Sequence, residues 1–227
     1  MRGAVLSRGS RSRVRSVVTA ALAAAAAAAA LVVLIFSAVH TASGQLLDQW
    51  GMDRVGDLRA PTEPVVDVVL TATPTVSGAV IVGAAVWAAS RRRVVDALTL
   101  IAVPLVSQAL TQLLKTDLIE RQTLADGIAV TMNSFPSGHV TLAAAAGYAL
   151  IAAAQPRRLA RGALALAWTA AVGLSTLLAG WHRPSDIVGA VLVVAAVAAA
   201  ASLVRSVLRK PRSARVTGVP ARNGGSG

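Results

Sequence analysis

The chain has 227 residues, 55% of them hydrophobic and 14% charged, and its 22 basic against 10 acidic side chains give a net charge of +12. So apolar a composition, gathered in long runs, excludes an ordinary soluble domain, and basic residues gathered at the ends of those runs exclude a nucleic-acid-binding face. The absence of cysteine excludes disulfides and thiolate metal sites.

A membrane span needs ~20 mostly apolar residues to cross a hydrocarbon core of ~30 Å. Six segments qualify, at about 17–39, 65–90, 94–114, 137–155, 163–180 and 187–205. The first follows an Arg-rich start and resembles a secretory signal peptide, but its apolar run is longer than the ~7–15 residues of such a leader, so it is read as a retained span. A polar loop at 40–64 follows, within which 45–50 predicts a short amphipathic helix with Trp50 as an interfacial anchor. Arg91, Arg92 and Arg93 make one tight turn and Gln155 to Arg158 another, and connections this short imply antiparallel neighbours in a helical bundle. Between spans three and four runs a second polar loop, 115–136, and the end of the chain, rich in Arg, Gly and Ser, has no apolar stripe and is expected to be disordered. The expected organisation is a basic cytoplasmic tail at 1–15, an all-α bundle of six transmembrane helices at 16–206 and a disordered cytoplasmic tail at 207–227.

Charge orients this bundle. With both termini in the cytoplasm, the inside segments carry 17 Lys and Arg residues and the outside segments five, namely Arg54, Arg59, Lys115, Arg121 and Arg183. The split obeys the positive-inside rule, and three of the five outside cations fall beside the two strings that carry chemistry.

The first string is Pro136-Ser137-Gly138-His139, where Pro136 suits the first turn of a helix and Asn133 and Ser134 suit its cap. That reading leaves the amides of Ser137, Gly138 and His139 free at a helix N-terminus, an arrangement that binds phosphate. In the second string, His182 precedes Asp186 by four residues. One helical turn of separation lets the carboxylate fix one imidazole nitrogen as a donor and leave the other as a nucleophile. Lys115, one of only two lysines, and Arg121 stand beside both strings as cationic clamps. Together these are the parts that phosphoryl transfer through a histidine needs. Two histidines and a carboxylate also suit a metal, a reading that the neighbouring Lys and Arg disfavour, because they repel a divalent cation.

Over residues 65–205 the chain resembles the type 2 phosphatidic acid phosphatase family, which shares its fold with vanadium haloperoxidases. The family pattern of Lys and Arg-Pro, then Pro-Ser-Gly-His, then Ser-Arg ahead of His-x-x-x-Asp is met by Lys115 and Arg121-Gln122, by Pro136 to His139, and by Ser175-Thr176 ahead of His182 and Asp186. The resemblance implies that Lys115 and Arg121 hold the phosphate and that Ser137 and Gly138 contribute contacts. It further implies that His139 protonates the leaving oxygen, His182 takes up the phosphoryl group and Asp186 orients it, with no metal and no cofactor. Gln122 departs from the pattern, and so does Thr176, which removes a bidentate guanidinium from the phosphate. Arg183, next to the nucleophile, is a candidate substitute, and Asp117 and Glu120 are expected to point away. The expectation is a plasma-membrane hydrolase of a lipid phosphate or diphosphate, with its site outside the cytoplasm and the bilayer as its partner. The alternative is a catalytically impaired lipid-phosphate binder on the same fold.

Overall fold

In hydrocarbon an apolar run has no hydrogen-bond partner for its backbone except itself, so the Ala-, Val- and Leu-rich segments fold as helices. A computed structural model describes the backbone of residues 8–128, 132–153 and 157–208 and the side chains within 14–207. The expected disordered tail from 209 onward and the first seven residues of the basic tail lie outside the described residues. The described elements, all helical, are α1 (Arg8–Leu34), α2 (Ala42–Asp53), α3 (Arg59–Ser90), α4 (Val94–Leu113), α5 (Gly138–Ala153), α6 (Arg158–Leu178) and α7 (Pro184–Leu208). Wider π-helical turns extend α1 over Ile35–Val39 and α4 over Leu114–Leu118.

Five of these stretches are long and apolar enough to cross a membrane, as fits a multi-pass membrane protein, while α5 is apolar but only 16 residues long. The short helix expected at 45–50 is α2, begun by Thr41, whose side chain accepts from the Gly44 amide. Several boundaries differ from expectation, with α1 starting at Arg8 instead of near 17 and α6 at Arg158 instead of near 163. The second span starts at Arg59 instead of near 65, because Pro61 lies in the first turn, where its missing N–H costs nothing. The fourth starts at Gly138, and Pro136 precedes the helix, joined to Phe135 by a cis bond.

α5 lies at the centre, packed against α3, α4, α6 and α7, and α1 packs mainly on α7. Its small residues make that position possible, since Ala143, Ala145, Ala146 and Ala149 are buried and a Cβ on Gly147 would lie 2.9 Å from that of Ala165 on α6. Polar pairs cross the apolar packing at Thr111 and Thr141, 3.0 Å apart between α4 and α5, and at Trp168 Nε1, which donates to Ser77 Oγ at 3.1 Å between α6 and α3. At one end of the bundle Asp96 ties α4 to α7 through Arg205 at 3.0 Å and also pairs with Arg93 at 2.8 Å. The other end gathers α2, the end of α4, the start of α5 and the α6–α7 turn.

Candidate active site

The α6–α7 turn is built by local rules. Gly180, at φ +72, takes the left-handed conformation that ends α6. Its amide then bonds the Leu177 carbonyl at 3.0 Å and the Trp181 amide bonds the Thr176 carbonyl at 3.1 Å, the paired bonds of a Schellman ending. The His182 amide also reaches the Thr176 carbonyl, at 3.3 Å. Next, Pro184 opens α7, and Asp186 Oδ2 reaches back to the Arg183 amide at 3.0 Å, as in a capping box. His182 thus sits just before the helix instead of within it, its backbone held by the end of α6 and its ring by Asp186 in the first turn of α7.

His182 Nδ1 lies 3.3 Å from Asp186 Oδ2, which leaves Nε2 as the nitrogen turned away from the carboxylate. The same Oδ2 accepts from Ser134 Oγ at 2.5 Å. Ser134 was expected to cap α5 and instead braces Asp186, while Asn133 binds the Lys115 and Ile119 carbonyls at 2.9 and 2.7 Å and so closes the second polar loop. The Ser137 amide is also committed, donating to the Asp186 carbonyl at 3.1 Å. The expectation of three free amides at the start of α5 therefore fails at Ser137, because α7 packs close enough to take one of them. Ser137 Oγ, fully buried, has no hydrogen-bond partner among the described residues.

His139 rises from the first turn of α5, its ring centroid 5.9 Å from that of Trp181 at a tilt of 46°. It lies within electrostatic range of His182 and of Lys115, and Lys115 within range of Asp186. Lys115 stands in the π-helical turn that ends α4. Arg121 is buried between two carboxylates, with Nη2 3.3 Å from Asp48 Oδ2 and Nη1 3.7 Å from Asp186 Oδ1. Sequence alone did not single out Asp48 as a site residue. Gln108 on α4 bonds the Gly138 carbonyl at 3.1 Å. Asp117 and Glu120 are exposed, as expected of them.

Arg183 and Thr176 are both buried. Arg183 is 2% exposed, with Nη1 on Ser134 Oγ at 3.2 Å and on the Met132 carbonyl at 3.5 Å, so it supports the wall behind Asp186. Burial pulls its pKa below the ordinary value and the Arg121 charge adds to that, with Asp186 and Asp48 opposing. Thr176 is fully buried and turns its hydroxyl to the Gly173 carbonyl at 2.8 Å. Among the described residues no group of three or more His, Asp or Glu side chains is placed to hold a metal ion. Beside Trp181 opens a cavity of about 340 Å³ lined by Arg59, Glu63, Val66, Asp67 and Leu178.

A family model described as the PAP2 superfamily matches residues 96–210. No curated protein and no solved structure matches the chain.

Proposed function

The chain belongs to the PAP2 superfamily, whose members are generally phosphatases acting on phosphate esters, and from that premise we propose that it hydrolyses a lipid phosphate or diphosphate through a phosphohistidine on His182. This reading is supported by the pairing of His182, in the α6–α7 turn, with Asp186 at 3.3 Å, and by His139 of α5 within electrostatic range of His182 and Lys115.

Asp186 holds the proton on His182 Nδ1, and Nε2 attacks phosphorus while the bond to the leaving oxygen breaks. His139 gives that oxygen its proton. Lys115 and Arg121 neutralise the charge that gathers on the phosphoryl oxygens. Water then attacks the phosphohistidine, His139 takes its proton, and inorganic phosphate leaves His182 as it began. Lipid is the favoured substrate because the site opens at one end of an apolar bundle, and the phosphatidate, phosphatidylglycerophosphate and polyprenyl diphosphate classes all fit that placement. The proposed topology is six spans with both termini in the cytoplasm and the site on the outer face of the plasma membrane, supported by the positive-inside count.

Sealed right-side-out cells supplied with phosphatidate or a polyprenyl diphosphate should release phosphate to the outer medium, with no effect of a chelator. His182→Ala and His139→Ala should each abolish that release. Turnover unchanged in both variants would refute the mechanism. The second reading, a lipid-phosphate binder without turnover, is favoured by Thr176, which brings no guanidinium to the site. It predicts bound lipid phosphate and no release by the wild type.

A further inference from the structure

Asp48 lies on α2, outside residues 96–210 that the family model matches, yet it is buried in the middle of the site. Its Oδ1 accepts from the Ser185 amide at 2.9 Å and its Oδ2 from Ser185 Oγ at 2.5 Å. Oδ2 also takes Arg121 Nη2 at 3.3 Å. A carboxylate from one helix thus caps the start of another, α7, where an anion is favoured, and holds a guanidinium at the same time.

The second carboxylate near Arg121 is Asp186, and that contact is looser. Arg121 Nη1 and Asp186 Oδ1 are 3.7 Å apart, and among the described residues each is buried without a hydrogen-bond partner. Two opposite charges this close and this dry attract strongly, so an unrestrained guanidinium would close fully onto Asp186. That would commit Nη1 to Asp186 Oδ1 and remove an anion contact from the site. Asp48 prevents the collapse by holding the far side of the guanidinium.

We infer that Asp48 is a positioning residue that divides Arg121 between two carboxylates and so keeps Nη1 available to a phosphate oxygen. A Cβ on Gly51 would lie 2.7 Å from Pro184, so only glycine lets α2 approach the start of α7 this closely. Gln45, 1% exposed, fixes the loop that bears Arg121 by donating to the Gln122 carbonyl at 2.7 Å and accepting from the Leu124 amide at 3.0 Å.

This inference rests on the reading of Arg121 as a phosphate contact, and its test does not need turnover. Inorganic phosphate is titrated calorimetrically into the purified full chain in detergent, for the wild type, Asp48→Asn, Arg121→Ala and the double variant. A hydrogen bond to a charged group contributes ~1.5–3 kcal/mol, so either single variant should weaken phosphate binding about tenfold or more. The double variant should be no weaker than Arg121→Ala alone. Ser185→Ala, which keeps both charges and loosens Asp48, should weaken binding a few-fold and serves if Asp48→Asn does not fold. Wild-type phosphate affinity in Asp48→Asn or in Ser185→Ala overturns the inference, as do losses that multiply in the double variant, or a wild type that binds no phosphate. Coupled phosphate binding in a protein that hydrolyses no lipid phosphate would remove the hydrolase reading and leave this one standing.

Discussion

Asp186 Oδ2 accepts from Ser134 Oγ, from the Arg183 amide and from His182 Nδ1, and only the last of these faces the chemistry. The first two hold the carboxylate so that it sets the imidazole tautomer without following the ring. Asp186→Asn keeps the size and replaces an acceptor by a donor, which favours the wrong tautomer of His182. Phosphate release should fall ~10⁴-fold, the scale of replacing a triad Asp by Asn, with the protein still folded, as followed by thermal unfolding. His139, His182 and Asp186 were legible in the sequence because each lies in a short local string. Asp48 and Ser134 were not, because their partners stand 137 and 52 positions away, and a lone Asp or Ser in a polar loop carries no mark of such a partner. Lys115 and Arg121 fall between these cases, since their charge marked them but their surroundings depend on the fold.

At the scale of elements, the helices follow from hydrophobic run length, and the close approaches follow from where the small residues fall. The sequence placed the apolar helices and the short helix α2 but missed the π-helical turns that end α1 and α4, because a wider turn depends on what packs against it. It also put Pro136 inside α5, where packing of Phe135 against Gly189 sets the helix start later; a Cβ at position 189 would meet the Phe135 ring. The same argument applies at Gly147, in the middle of α5. Gly147→Val adds atoms where a Cβ already approaches that of Ala165 to 2.9 Å, so α5 and α6 must part. Overpacking of this kind costs ~1–3 kcal/mol, and the unfolding temperature in detergent should drop by several degrees. An unchanged unfolding temperature would mean that α5 and α6 do not pack this closely.

Over the whole molecule, the two ends of the bundle carry different kinds of charge. Asp96 with Arg93 and Arg205 is partly exposed, and such pairs are worth roughly 0–1 kcal/mol each, so this end is pinned without being built for chemistry. The other end buries Asp48, Asp186, Arg121 and Arg183 together, with His182 beside them. Burying charges is costly unless they are paired, and this cluster balances two acids against two guanidiniums. The sequence revealed that the two ends differ, through the uneven spread of Lys and Arg, but not that one end is dry. The proposed hydrolysis passes phosphorus to His182. Purified protein mixed with a ³²P-labelled lipid phosphate and quenched in alkali within one turnover should carry an acid-labile, alkali-stable label on the peptide containing His182. Hydrolysis that proceeds with no labelled protein, or with the label on another residue, would rule out a phosphohistidine at position 182.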